Sequence, residues 1–337
     1  MKNISRKKFL NVCGSIVAGG AIAGVSGVLL NRTTSRAAAN PSGARYRQEE
    51  NTSVSPYRQV ASFEAADNIQ SLAQHNGTIY LATPQTVSVY DSRGTMTRRF
   101  AVAAETVRDM AAGSDGIYLL HPAAISVYSH DGQLLREWSA CSELSNYCSL
   151  ALSDDFVFVT DMDNKNICKY TREGNFVTFI NSPGRFIIPS LTFGIECVGD
   201  LLYCSNSGRH QVEKYTLNGE YIGTFGKAGG APGLFNGCCN PVHISCTPGG
   251  DIITSEKGIP RISCYGGDGI FRGILLDGKQ LGGGYTAYDV KVWNDRLFVA
   301  GKKKVTVFRY DETLASAGSA CASCGVSCPL RRGGINM

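Results

Sequence analysis

The residues best suited to chemistry are cysteines in two places. In NGCCNPVHI, residues 236 to 244, Cys238 and Cys239 are adjacent and stand just ahead of Pro241 and His243. In the C-terminal stretch CASCGVSCPLRR, Cys321, Cys324 and Cys328 carry the spacing CxxCxxxCP. Thiolates ligate zinc and iron, and a tetrahedral all-cysteine site needs four of them. The tail offers three and the doublet is the natural donor of the fourth. The expected cofactor-binding set is therefore Cys238, Cys239, Cys321, Cys324 and Cys328, holding an iron–sulfur cluster or, alternatively, zinc. The doublet is a poor structural crosslink, because neighbouring cysteines joined to each other close a strained ring. A second group, Asp109, His243, Glu256 and Asp289, has the side chains to bind calcium or zinc or to act on a substrate as acid and base. The competing reading makes each aspartate a partner for loop amides and the histidine a hydrogen-bonded structural residue.

What positions these residues is a repeat. The segments VSVYDSRG (87 to 94), ISVYSHDG (125 to 132), ICKYTREG (167 to 174), VEKYTLNG (212 to 219), ISCYGGDG (262 to 269) and VTVFRYDE (305 to 312) recur at 38, 42, 45, 50 and 43 residues between their aromatic positions. That is the period of four-stranded propeller blades. Each copy follows an apolar strand, a turn and a second strand, as in DMAAGSDGIYLLH and SLALSDDFVFVTD. Alternating apolar and β-branched residues bounded by Gly, Asp and Asn mark half-buried strands joined by hairpins. Six units predict an all-β, six-bladed β-propeller over residues 57–311. The last unit ends after its third strand, so YRQVASF (57 to 63) is expected to close the ring as the missing fourth strand and protect both sheet edges.

The units resemble NHL repeats, with an apolar inner strand, a turn, a second strand and a V-x-x-Y/F-x-x-D/N-G outer hairpin. The likeness is strongest at 186 to 226, which includes YTLNGEYIGTFG, and at 237 to 276. FNGCCNP followed by SEKGIPR and a cysteine-rich C-terminus is also similar to a group of exported NHL-type proteins of environmental and gut bacteria. That resemblance adds support for a cysteine cluster and supplies no catalytic assignment. In such a fold the connections into the inner strands share a face with the loops between second and third strands. Aligning the units puts Ser71, Asp109, Ser149, Gly194, His243 and Asp289 at equivalent inner-strand starts. Cys238, Cys239, Glu256 and Lys257 are expected to flank the same channel mouth, with Glu256 and Lys257 open to a local ion pair. The roughly ten residues from Asp311 to Ala320 reach at most about 33 to 36 Å, about enough for the tail to climb one edge of the propeller.

The ends of the chain carry targeting information. MKNISRKKF is a charged n-region, residues 12 to 30 are an apolar stretch, and Ala37–Ala39 is an A-x-A cleavage site,. SRKKFL resembles the twin-arginine export signal, with Lys7 where a second arginine is usual. Residues 1–39 are thus read as a signal peptide or, if uncleaved, a membrane anchor, residues 40–56 as a linker and 312–337 as a Cys-rich tail. Export to the periplasm or the outer side of the cytoplasmic membrane follows. The net charge of +5 arises in the leader, which leaves no basic surface for nucleic acid.

Beyond the leader's Cys13, twelve cysteines remain. In an oxidising compartment an even count suggests disulfides. Cys141 and Cys148 bracket a short loop and are candidate partners. Cys168, Cys197, Cys204, Cys246 and Cys264 fall within strands, where thiols pack as small hydrophobes. The tail spacing resembles the last three ligands of a bacterial ferredoxin motif, but the first ligand position falls at Gly318, which excludes a ferredoxin domain. No GxSxG, HExxH, Walker or CxxCH pattern occurs. The expected function is a metal- or iron–sulfur-binding redox or scaffolding protein of the cell envelope, a monomer with a protein partner there. The alternatives are a metal-dependent hydrolase or lyase acting at the channel, and a cofactor-free interaction module stapled by disulfides.

Overall fold

Twenty-four strands arise from the repeat, and their pairing makes six four-stranded antiparallel sheets. The structure is a computed structural model that describes residues 55–103, 106–284 and 286–317. The leader, nearly all of the linker, and Cys321, Cys324 and Cys328 lie outside the described residues.

The first blade has its strands in simple order: β2 (Ser71–His75), β3 (Thr78–Thr83), β4 (Thr86–Tyr90) and β5 (Met96–Ala101). The second runs from β6 (Asp109–Gly113) through β7 (Gly116–His121) and β8 (Ala124–Tyr128) to β9 (Leu134–Ser139). The third has β10 (Tyr147–Leu152), β11 (Phe156–Asp161), β12 (Asn166–Thr171) and β13 (Phe176–Ile180), and the fourth β14 (Ile195–Val198), β15 (Leu201–Asn206), β16 (Gln211–Thr216) and β17 (Tyr221–Phe225). The fifth has β18 (His243–Cys246), β19 (Ile252–Glu256), β20 (Arg261–Tyr265) and β21 (Phe271–Leu276). The sixth takes β22 (Asp289–Trp293), β23 (Arg296–Ala300) and β24 (Lys304–Tyr310) from the end of the chain and its outer strand, β1 (Tyr57–Glu64), from the beginning. β1 and β24 are antiparallel from Tyr57 opposite Tyr310 to Glu64 opposite Lys304, with one bulge between Gln59 and Ala61. Closure by the N-terminal strand is therefore as the sequence predicts.

Apolar residues on alternate strand positions bury six clusters, one between each pair of neighbouring blades. The repeated aromatics, Tyr90, Tyr128, Tyr170, Tyr215, Tyr265 and Phe308, are all buried within these clusters. The hairpin glycine of each repeat has two physical reasons to be glycine. Gly94, Gly132, Gly174, Gly219 and Gly269 have φ between +81° and +98°, where a Cβ is strained. Each also packs on the outer strand of the preceding blade: a Cβ would come within 2.5–2.8 Å of Phe63, Phe100, Trp138, Ile180 or Phe225, respectively. No helix among the described residues is long and apolar enough to cross a membrane.

Candidate functional site: a thiol pair at the channel mouth

The six inner strands surround the channel, and the aligned strand starts meet there. Asp289 accepts a hydrogen bond from the Leu72 amide at 2.8 Å in the first blade. Ser71 Oγ donates to Asp109 at 2.8 Å, and the other Asp109 oxygen accepts from the Leu150 amide at 3.0 Å and from Ser149 Oγ. The Met110 amide adds a fourth bond to Asp109 at 2.8 Å. Gly194 lies where a Cβ would sit 2.8 Å from the Val242 carbonyl and 3.4 Å from the His243 Cα. The ring predicted from the repeat exists, but its aspartates serve as hooks between blades. Their oxygens are engaged by neighbouring hydroxyls and amides, as the simpler reading of strand-start aspartates requires.

Glu256 departs further from expectation. It is fully buried and paired with Arg261, whose Nε lies 2.6 Å from Oε1 and whose second nitrogen donates to Oε2 at 2.9 Å. Burial pushes the Glu256 carboxyl up and the Arg261 guanidinium offsets part of that push. Glu256 ends β19 with its side chain buried against Arg261, while Lys257 begins the following turn and lines the mouth, so the two do not share one face. The pair clamps the connection between β17 and β18, because Arg261 also donates to the carbonyls of Gly230, at 3.0 Å, and Leu234. Among the described residues no group of three or more His, Cys, Asp and Glu could hold a metal ion, so Asp109, His243, Glu256 and Asp289 are not assembled as ligands.

The same connection carries the thiols. Asn240 fixes it to the turn after β19, with Oδ1 accepting from the Lys257 amide at 3.0 Å and Nδ2 donating to the Lys257 carbonyl at 2.9 Å. Cys239 is thereby held beside Lys257. Its Sγ lies 3.3 Å from that of Cys238 and 3.6 Å from the Ser190 hydroxyl. Cys239 is buried and Cys238 exposed. Burial alone would raise the Cys239 pKa, but hydrogen bonds from the Lys257 amine, the Ser190 hydroxyl and the Cys238 thiol outweigh it and lower the pKa below the usual thiol value. Cys238, which shares its proton with that neighbour, is raised. The two shifts run in opposite directions, so Cys239 is the member of the pair that ionises first,.

A cavity of about 620 Å³ opens beside the pair, lined by Ser190, Thr192, His243 and Lys257 with apolar walls from Met162 and Leu191. Its size suits a small-molecule site. Deeper in the channel Lys291 of the sixth blade reaches past the fifth to Glu196 of the fourth, at 3.3 Å. Burial alone would lower the Lys291 pKa; the carboxylates of Glu196, Asp289 and Asp109 reverse this and raise it. Neither charge was singled out from the sequence, although a lysine among the apolar residues of DVKVW and a glutamate in IECV are the signal that could have revealed them. Cys197 and Cys246 sit near this pair, with Cys246 Sγ 3.7 Å from the Cys197 carbonyl. Burial raises both thiols, which keeps them protonated.

The remaining cysteines correct one expectation. Cys141 does not face Cys148: its Sγ lies 3.4 Å from Cys168 Sγ, while Cys148 turns toward the Asn146 carbonyl. The loop folds this way because the Cys141 amide donates to the hydroxyls of Tyr147 and Tyr170. The nine described cysteines are all free thiols.

Fold and mouth together define a six-bladed β-propeller whose channel opening carries a vicinal dithiol. No family model and no curated protein matches the sequence. The chain is similar in structure to virginiamycin B lyase from Staphylococcus aureus, at TM-score 0.54 and 14% identity over 75% of this chain and 99% of that one. It is also similar to a gluconolactonase from Xanthomonas campestris, at TM-score 0.53 and 15% identity over 76% and 88%. The WD40 propeller of Doa1 aligns at TM-score 0.50 and 11% identity over 77% and 98%. Two enzymes and a repeat domain on one frame establish architecture and leave chemistry to the site.

Proposed function

We propose that this protein is an exported NHL-type propeller that holds a thiolate-bound metal or iron–sulfur centre at its channel mouth and serves as a redox or scaffolding component of the cell envelope. The observation that carries the reading is the adjacency of the Cys238 and Cys239 thiols on an outward-facing connection, with Lys257 stabilising a thiolate. The donor count sets the fit. Two thiols meet at the mouth, and a four-ligand centre needs two more. Cys321, Cys324 and Cys328 of the tail are the thiols available to complete it. When bound, such a centre would supply electron transfer if it is iron–sulfur and structural crosslinking if it is zinc. The residues of the chain hold the doublet in place and lower the pKa of one member, Cys239.

Anaerobic purification of the full chain, with an absorbance spectrum and metal analysis, tests the reading. Bound iron with broad visible absorbance, or stoichiometric zinc, is the expected result. Changing Cys324 to Ser should remove the metal, while changing Cys168 to Ser, in the core between the second and third blades, should leave it. Metal-free protein, or metal retained in the Cys324 variant, overturns the proposal. A second reading, a hydrolase or lyase working at the mouth, is favoured by the presence of His243 and Lys257 on one cavity wall. Its test is turnover of lactone or cyclic ester substrates that is lost on His243→Ala.

A further inference from the structure

The doublet has a feature that the four-ligand reading does not use. It is a pair with a definite bite and no third His, Cys, Asp or Glu beside it among the described residues. We propose that Cys238 and Cys239 by themselves form a two-thiolate chelate for one trivalent, pyramidal thiophilic centre, of the arsenite or organoarsenical class, whose third substituent projects toward the adjoining cavity. This deepens the thiol-centre reading and rests on its doublet, but it does not rest on the tail.

Bite and donor number both select the ligand. With sulfur bonds of about 2.3 Å, two thiolates on one centre stand about 4.6 Å apart if the centre is linear, about 3.8 Å if tetrahedral and about 3.3 Å if the bond angle is near 90°. The observed separation is 3.3 Å. A pyramidal centre with one substituent of its own also needs two thiols and no more. The reaction balances without an oxidant. Two sulfur–arsenic bonds form, two arsenic–hydroxyl bonds break, and each hydroxyl leaves as water; the protons come from the two thiols, or from water where Cys239 is already ionised. Cys239, with the Ser190 hydroxyl 3.6 Å away at the cavity edge, supplies one bond. The exposed Cys238 closes the ring. Ser190 and Lys257, which touch Cys239, also line the 620 Å³ cavity, so space for the third substituent adjoins the sulfurs.

Cys141 and Cys168 provide an internal control. Their sulfurs are equally close, at 3.4 Å. Cys168 is fully buried, though, and burial together with Cys141 pushes its thiol up and keeps it protonated. Tyr147 and Tyr170 stand against the pair. Proximity is shared by the two pairs, whereas an exposed member and an adjoining cavity belong only to Cys238 and Cys239.

The test uses phenylarsine oxide on the reduced full chain, with excess monothiol present so that only dithiols retain the probe. Intact mass should show one phenylarsenic group bound with the loss of two protons, reversible by a competing dithiol. Cys238→Ser, at an exposed position that leaves the core untouched, and Cys239→Ser should each weaken binding at least tenfold. Cys141→Ser and the triple change Cys321→Ser, Cys324→Ser, Cys328→Ser should bind as the parent does. Adduct that survives Cys238→Ser, or that is lost with Cys141→Ser or with the tail changes, overturns the proposal. Metal analysis of the same samples separates the two ideas: protein without metal that still binds the arsenical sinks the four-ligand centre alone, and metal-bound protein that never binds it when stripped and reduced sinks the chelate alone.

Discussion

Lys257 acts on Cys239 both as a hydrogen-bond donor and as a charge, and with Ser190 and Cys238 it outweighs the burial that would raise the pKa of this thiol. Alkylation rates follow the thiolate fraction, so the sign of the effect is fixed. A lowered pKa means that Cys239 keeps reacting with iodoacetamide as pH falls through the range where an ordinary cysteine is already protonated. Replacing Lys257 with Met removes a stabilising cation, moves the rate midpoint to higher pH and slows reaction at neutral pH several-fold. Peptide mapping after brief alkylation between pH 6 and 9 measures this directly. Cys197, Cys246 and Cys168 should stay unmodified throughout, because burial raises their pKa values. An unchanged Cys239 profile in the Lys257 variant would remove the basis for treating the pair as reactive.

At the scale of the element, the end of the second strand in blades two to five recurs as an anchor for the connection that enters the blade. Asp161 accepts from the Asn146 amide at 3.0 Å, Asn206 from the Ile187 amide at 2.9 Å, and His121 bonds the Thr106 carbonyl at 2.8 Å. Glu256 occupies the corresponding place in the fifth blade, and its pairing with Arg261 anchors the connection that bears the thiols. Arg261→Met leaves Glu256 as an uncompensated buried carboxylate and is expected to cost about 3–5 kcal/mol. Changing Glu256 to Gln and Arg261 to Met together should restore part of that loss, as a urea denaturation series would show. The same pair marks what the sequence could and could not convey. The strands, the hairpins and the ring order were legible because apolar alternation recurs in all six units and the aromatic–glycine outer hairpin in five, the sixth unit taking its outer strand from β1. Glu256 was misplaced because a shift of one residue at a strand end reverses the face on which a side chain emerges. Cys168 was missed as the neighbour of Cys141 because its approach depends on two tyrosine hydroxyls gathering a loop amide. Lys291 and Glu196 meet only when the sixth blade faces the fourth across the channel, a relation that no local pattern encodes.

For the whole molecule, the consequence of a closed ring is that no blade interface is dispensable, and β1 shows how literal this is. The strand completes the sixth sheet by pairing with β24, and its Phe63 performs for the first blade what Phe100 performs for the second. Phe63 stacks on Tyr90 with ring centroids 4.5 Å apart and lies against Gly94; Phe100 lies on Tyr128 at 5.8 Å and against Gly132. If closure makes the molecule one cooperative unit, Phe63→Ala and Phe100→Ala should destabilise it by similar amounts, about 2–4 kcal/mol for partly buried rings in such sites,. Both losses should be shared by the entire propeller. The two tryptophans make this measurable, since Trp138 reports on the interface of the second and third blades and Trp293 on that of the sixth and first. In variants that keep one tryptophan each, urea transitions followed by fluorescence should coincide at both sites, with and without Phe63→Ala. If Trp293 reports unfolding at lower urea than Trp138 in the Phe63→Ala background, the closing strand is a local latch, and the thiol-bearing fifth blade owes its rigidity to its own clamp rather than to the ring.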